Sequence, residues 1–404
     1  MTLPRGLRYF SPVDVSGYGQ AAIANVRAFV NAGIPVQWIP LDWHPEGMRP
    51  GQWSLPDGRV RAILAQCGEH GNLADLRQLV AATNAPVAHD TVIAHAPPES
   101  WPGRFERGKR NVGCTAWEPD RIPAHWLPLL QHADRIVVPS TQNRDTFLRS
   151  GAGRPVFAVP HVRRHRWCEF SPSDLAAARE DLGIPPGHRV FYTINAWDPR
   201  KAMPDLLTAF ANAFGAGDPV TLLVKTRPVG YDGGPLYAER PTRDLATHVL
   251  TVLARALGRA LPHVVLHDEE IDADALDLIH ALGDVYVSLS RGEGWGLGAF
   301  EAATLGKPVI MTGWGGQTDF LGTGWPGAVP YQLAPCVLWP PYKPSYFPSQ
   351  RWAIPHLPSA AALMRRTFAD PQPAQTAAWA IRERIVREFA EPIVLRAWLE
   401  ALDG

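Results

Sequence analysis

The run Val285-Tyr286-Val287-Ser288-Leu289 is followed by Ser290-Arg291-Gly292-Glu293-Gly294-Trp295-Gly296-Leu297-Gly298 and then by Ala299-Phe300-Glu301-Ala302-Ala303-Thr304-Leu305. A short apolar, β-rich run reads as a strand, and the glycines at 292, 294, 296 and 298 break it into a loop. The helix-forming stretch Gly298–Leu305 follows, and Gly306-Lys307-Pro308-Val309-Ile310 opens the next strand. Such a strand, glycine-rich loop and helix aim backbone N–H groups and a helix N-terminus at one point, for which phosphate is the natural occupant. The glycines let the backbone approach it closely. Glu293 stands in the loop and Glu301 on the helix, seven residues between them. Carboxylates at the open end of such a unit can accept hydrogen bonds from sugar or ribose hydroxyls.

Working outward, the alternation of apolar runs and amphipathic stretches continues over most of the chain, which predicts βαβ units and parallel sheets. In the first half, strands are expected at Leu7–Phe10, Pro35–Leu41, Arg61–Ala65, Val87–Ala94, Val112–Thr115, Arg135–Val138 and Val156–Val159. Helices are expected at Ala21–Ala32, Ala124–Gln131 and Gln142–Arg149, with Gly17-Tyr18-Gly19 in a turn before the first. The pattern restarts with strands at Arg189–Ile194, Val220–Lys225, Val264–His267, Val285–Leu289 and Pro308–Met311. Helices Pro204–Phe214, Asp244–Gly258 and a single long Ala374–Leu402 complete it. The expected organisation is a Rossmann-like domain over 1–165, a linker over 166–187 and a second Rossmann-like domain over 188–384. The terminal helix, about 385–404, crosses back to the first domain. Ligands of open α/β sheets bind beyond the carboxyl ends of the strands, so two such sheets predict a deep cleft with the chemistry after the strands.

Composition narrows the function. At 404 residues with 46% hydrophobic, the chain can bury more than one core. Lys+Arg equals Asp+Glu at 39 each, so no basic excess points to nucleic acid as a partner. Cys67, Cys114, Cys168 and Cys336 have no short spacing, which argues against a zinc site or a disulfide framework. With no secretory leader pattern or membrane-length apolar run, the expectation is a cytoplasmic protein. Asp272-Ala273-Asp274 has the form of a manganese-binding pair but sits at a helix start, where acidic residues are ordinary caps. No metal or other cofactor is expected.

The Glu293 to Glu301 segment resembles the E-x7-E signature of retaining GT-B glycosyltransferases, the large family 4-like group that includes bacterial polysaccharide enzymes. The resemblance extends to Trp314-Gly315-Gly316-Gln317-Thr318-Asp319, similar to the family's Gly-Gly loop. It also takes in Tyr192-Thr193-Ile194-Asn195-Ala196-Trp197-Asp198-Pro199-Arg200-Lys201. It implies that Glu301 binds the nucleotide ribose and Glu293 lies near the donor sugar, with Gly294, Trp295, Gly296 and Leu297 lining the loop. Arg200, Lys201 and Lys225 would clamp the diphosphate, since without a metal only cations and backbone dipoles can neutralise a departing nucleoside diphosphate. Gly17 and Gly19 would match the family's N-terminal glycine loop, His95 would reach the donor sugar and Glu118 the acceptor hydroxyls.

The implied reaction is retaining transfer of a hexose from a GDP- or UDP-sugar to a saccharide, glycolipid or glycan, as in surface polysaccharide synthesis. A lipid-borne acceptor would add a peripheral membrane contact at its inner face. Oligomeric state stays open. An NAD-dependent oxidoreductase would need a third glycine that Gly17-Tyr18-Gly19-Gln20-Ala21-Ala22 lacks. A nucleotide-sugar epimerase or phosphorylase on the same fold, and a non-catalytic sugar-nucleotide-binding protein, are the alternatives.

Overall fold

The structure, a computed structural model, describes residues 3–14, 16–44, 47–50, 72–164, 167–231, 239–271, 273–336 and 345–403. The strand expected at Arg61–Ala65, together with Cys67, His165, Arg166 and Asp272, lies outside the described residues. The chain divides into two compact units. One comprises Met1–Trp117, Arg121–Arg163 and Arg387–Gly404; the other comprises Glu118–Asp120 and Arg164–Val386.

In the first unit a seven-stranded sheet has the order Gly47–Pro50, Val36–His44, Leu7–Ser11, Thr91–His95, Arg110–Cys114, Arg135–Val138, Val156–Ala158. All neighbours are parallel except the short Gly47–Pro50 strand, which turns back antiparallel on Val36–His44. Leu7, Tyr9, Ile93, Val112 and Val137 face a core shared with Val26 and Phe29 of the helix Gly17–Asn31. Residues from the end of the chain complete it: Val394, Trp398, Ala401 and Leu402 are all buried there. The single helix expected over Ala374–Leu402 is in fact two, Gln372–Glu388 and Glu391–Asp403. Pro392 explains the break, because a residue without an N–H is tolerated only in the first turn of a helix.

In the second unit the six-stranded parallel sheet runs His263–His267, Val220–Lys225, Arg189–Ile194, Val285–Ser288, Val309–Thr312, Ala328–Val329. In chain order this is 3-2-1-4-5-6, the doubly wound arrangement. Its core gathers Phe191, Leu206, Phe210, Phe214, Leu222, Val287 and Ile310. The helix Leu357–Ala369, not anticipated from the sequence, adds Ala360 and Met364 to that core. The antiparallel hairpin Tyr331–Pro335 with Arg351–Pro355 was likewise not anticipated. No helix among the described residues is long and apolar enough to cross a membrane.

Trp398 is 1% exposed and stacks edge-on against Phe29 at 5.5 Å. Trp398→Ala is expected to destabilise the first unit by about 3–5 kcal/mol, the usual cost of emptying a buried aromatic site. Chemical denaturation should show that unit's transition moving while the second unit's stays in place.

Candidate functional site

The second unit's strand order reverses between Arg189–Ile194 and Val285–Ser288, and the loops leaving those two strands flank the crevice where doubly wound sheets take ligands. The first loop carries Arg200 and Lys201, and the second carries Glu293. They meet there: Lys201 Nζ donates to Glu293 Oε1 at 2.5 Å and Arg200 Nη1 to Glu293 Oε2 at 3.2 Å. The backbones are stitched as well, by Arg291 N to Arg200 O at 2.8 Å and Arg200 Nη1 to Gly292 O at 2.7 Å. Glu293 is only 6% exposed, and burial pushes its pKa up. The charges of Lys201 and Arg200 outweigh that and hold it at about 2. Arg200 responds in the opposite direction: burial favours the neutral form, but Glu118 and Glu293 raise its pKa well above the ordinary value. Its Nε is buried without a hydrogen-bond partner.

Local backbone chemistry accounts for the placement. Ala202, directly after Lys201, has φ 51° and is the only non-glycine residue with positive φ among those described. A left-handed alanine costs of order 1 kcal/mol, and it turns the chain sharply into the helix Met203–Ala213. Gly296, with φ 92°, caps the helix Leu297–Thr304 in a conformation that favours glycine. At Gly292 a Cβ would come within 3.0 Å of Glu118 O, so the absent side chain lets residue 118 close on the loop.

Glu118 belongs to this same cluster. Its Oε1 lies 3.6 Å from Arg200 Nη2, and its Oε2 accepts from Tyr346 Oη at 2.7 Å. Asp120 is held beside it by the Arg351 side chain at 2.9 Å and the Arg351 backbone N–H at 2.6 Å. Neither Tyr346 nor Arg351 was anticipated, because the hairpin that brings them is remote along the chain.

Glu301 lies on the helix after the loop, 7% exposed. His280 Nε2 lies 3.3 Å from its Oε2, and Arg164 Nη1 lies 3.7 Å from its Oε1. Burial pushes the Glu301 carboxyl up, but the His280 hydrogen bond and the charges of His280 and Arg164 hold it below the ordinary range. Arg164 is itself fixed by a two-pronged pair to Asp277 at 2.7 and 2.9 Å. Neither His280 nor Asp277 was anticipated; both sit on the helix Ala273–Leu282, at i and i+3.

Other expected residues are placed differently. Lys225 ends its strand with Nζ on backbone carbonyls, Thr226 O at 2.6 Å and Glu269 O at 2.9 Å, and burial together with Arg227 lowers its pKa. It braces the edge-strand loop, and its hydrogen bonds do not join it to the Arg200, Lys201 and Glu293 cluster. The Trp295 ring is 3% exposed, packed on Phe300 and Phe320 at 5.2 Å each, so it offers a ligand its backbone and not its ring. Gly294 and Leu297 remain at the loop and the helix start, and Gly316 N ties the Gly-Gly loop to Glu293 O at 2.8 Å.

The first unit has its own order reversal, between Leu7–Ser11 and Thr91–His95. His95 is the last residue of its strand, 5% exposed, with Nδ1 2.8 Å from Tyr9 Oη. Burial, with His161 adding to it, lowers its pKa to about 3, so the ring is neutral. Gly17 and Gly19 are in the first turn of the helix Gly17–Asn31 and not in a turn before it, because Ser16 caps that helix by accepting from Gly19 N at 3.2 Å. A Cβ on Gly19 would fall 2.2 Å from Asp14 O, which forbids any larger residue without rearrangement. Among the described residues no group of three or more His, Cys, Asp or Glu is arranged to hold a metal ion.

No family model matches the chain. D-inositol 3-phosphate glycosyltransferase 2 of Catenulispora acidiphila is 32% identical over 203 residues, 49% of this chain and 44% of that protein. D-inositol 3-phosphate glycosyltransferase of Rhodococcus jostii is 31% identical over 188 residues, 46% and 39% of the two chains. The match thus spans less than half the length of either relative. Among solved structures, Anabaena HepE in complex with UDP and glucose aligns with TM-score 0.62 at 16% identity, over 98% of this chain and 99% of that one. Sucrose-phosphate synthase from Thermosynechococcus elongatus aligns with TM-score 0.63 at 17% identity, over 98% of each. The fold is that of GT-B glycosyltransferases, and the family resemblance read from Glu293 and Glu301 is borne out.

Glu293 gives a pH test. Its folded pKa of about 2 lies below the ordinary 4.5, so the stability it contributes is complete above pH 4.5 and is lost as pH falls toward 2. The difference in melting temperature between the wild type and Glu293→Gln should be constant near neutrality and shrink below pH 4.5. A difference unchanged down to pH 3 would mean Glu293 is not held by its cations.

Proposed function

We propose that the chain is a retaining glycosyltransferase that moves a hexose from a nucleotide diphosphate sugar to a hydroxyl of a saccharide or glycolipid acceptor. The single observation that carries this reading is the buried Arg200, Lys201 and Glu293 cluster at the order reversal of a doubly wound sheet. Arg200 and Lys201 take the diphosphate, aided by amides at the start of the helix Leu297–Thr304. Glu301, held ionised by His280, accepts from the ribose hydroxyls. Glu293 serves the sugar, and Glu118, beside the same guanidinium, is the acceptor-side carboxylate.

The charge arrangement suits the reaction. As the bond from the anomeric carbon to the phosphate oxygen breaks, the sugar becomes oxocarbenium-like and positive while the diphosphate gains negative charge. A carboxylate set against two cations matches such a separated pair, and it is in place before reaction begins. The acceptor oxygen bonds to the anomeric carbon on the face the diphosphate leaves, and its proton passes to the departing phosphate oxygen. No further reactant is required, and charge neutralisation falls to Arg200 and Lys201 without a metal. HepE's complex with UDP and glucose supports a uridine nucleotide and a glucosyl group as the first donor to try.

Thermal shift with UDP, GDP, ADP and their sugars in the presence of EDTA tests binding. A nucleotide diphosphate should raise the melting temperature by preferential binding to the folded state, and Glu301→Ala should abolish the rise. With a turned-over donor, Lys201→Ala should lower kcat by roughly 10²–10³, as loss of one preorganised charge contact does. The product's anomeric configuration, read by proton NMR, should equal the donor's. Inversion would overturn the retaining assignment, and a shift with NAD(P) alone would overturn the class.

A further inference from the structure

Behind His95 lies a line of hydrogen bonds whose direction is fixed by chemistry. Trp398 Nε1 is 3.1 Å from Asn25 Oδ1, and an indole nitrogen can only donate, so the amide oxygen faces Trp398. The NH2 group then points the other way, and Asn25 Nδ2 lies 3.4 Å from Tyr9 Oη. An amide nitrogen also only donates, so Tyr9 Oη accepts there and its one proton is left for His95 Nδ1 at 2.8 Å. Burial raises the Tyr9 pKa well above its ordinary value, so that proton stays on the phenol. His95 Nδ1 is therefore an acceptor. The ring is neutral and carries one proton, which is left for Nε2.

We propose that His95 is a fixed Nε2–H hydrogen-bond donor, and that Tyr9, Asn25 and Trp398 are positioning residues that set this tautomer. All four belong to the first unit, and Trp398 is supplied by the helix Glu391–Asp403 at the chain's end. The ring is also held from its side by Tyr18 at 5.5 Å, whose hydroxyl lies 2.9 Å from Thr115 Oγ1 and accepts from Ala116 N at 3.1 Å. An uncharged donor at the open end of a parallel sheet suits a neutral oxygen ligand. In the glycosyltransferase reading, on which the ligand assignment alone rests, that ligand is a hydroxyl of the transferred sugar. The returning helix thus gains a role beyond packing: its indole sets the polarity of the site.

Long-range proton–nitrogen NMR on the histidine-labelled, ligand-free protein reads the tautomer directly. Wild type should show His95 with Nε2 protonated. Asn25→Asp should reverse the line once the carbon shift of the new carboxyl shows it ionised. A carboxylate accepts from both Trp398 and Tyr9, so Tyr9 then accepts from His95 and the proton moves to Nδ1. Nδ1–H in the wild type, or Nε2–H in both proteins, overturns the proposal. Tyr9→Phe gives a second reading that tolerates an unstable Asn25→Asp: the Nδ1 shift should move to that of a nitrogen without a hydrogen-bond donor, and an unmoved shift overturns the proposal. With a donor sugar that the wild type turns over, Asn25→Asp should lower kcat/KM roughly tenfold, the effect of one lost hydrogen bond. A reversed tautomer with an unchanged rate would refute the sugar contact. Absence of any turnover in the wild type would refute the enzyme reading and leave the tautomer result standing.

Discussion

Two cations set side by side in a loop that packs against its neighbour repel each other and lose hydration, and carboxylates in contact make that arrangement stable. Arg200 and Lys201 are in this position, and Glu293, with Glu118 on the outer side of Arg200, supplies the compensation. Much of the second unit's local structure serves this one constraint. The left-handed Ala202 brings the cations round, Gly292 leaves room for residue 118, and the strand Arg351–Pro355 anchors Asp120. The result is a compensated but tightly packed group of charges, with Arg200 Nε left without a hydrogen-bond partner.

A parallel principle operates in the first unit with neutral groups. There the end of the central neighbouring strand carries His95, kept uncharged by burial and oriented by a line of donors from Trp398 inward. The two order reversals therefore present different chemistry, a charged cluster in one unit and a neutral polar group in the other.

The alternation of strands and helices was legible because both sheets are built from buried parallel strands, whose apolar runs are short and unambiguous. The Glu293 and Glu301 spacing was legible because the geometry that matters is local: a strand, a glycine turn and one helix. Several errors have identifiable causes. The long C-terminal helix was read through Pro392, although a proline there is a first-turn signal. Helix Leu357–Ala369 was missed despite Pro358 at its start and the 360, 361, 364 spacing of its buried face. The pairings of Glu118 with Arg200, His280 with Glu301 and Tyr346 with Glu118 could not be read from sequence, because the partners are 82, 21 and 228 residues apart and depend on tertiary packing. Lys225 looked like a third clamp cation, since a basic residue at a strand end is ambiguous until its own backbone acceptors are seen.

The proposed function rests on recognition of a diphosphate by Arg200 and Lys201. It is tested most directly by calorimetric titration of wild type, Arg200→Met and Lys201→Met with the nucleoside, its monophosphate and its diphosphate, all with the same base. If the cations hold the terminal phosphate, each substitution should weaken diphosphate binding by at least roughly tenfold, as loss of a charge-assisted contact does. Nucleoside binding should change little. Equal weakening of all three ligands, or none, would contradict the claim.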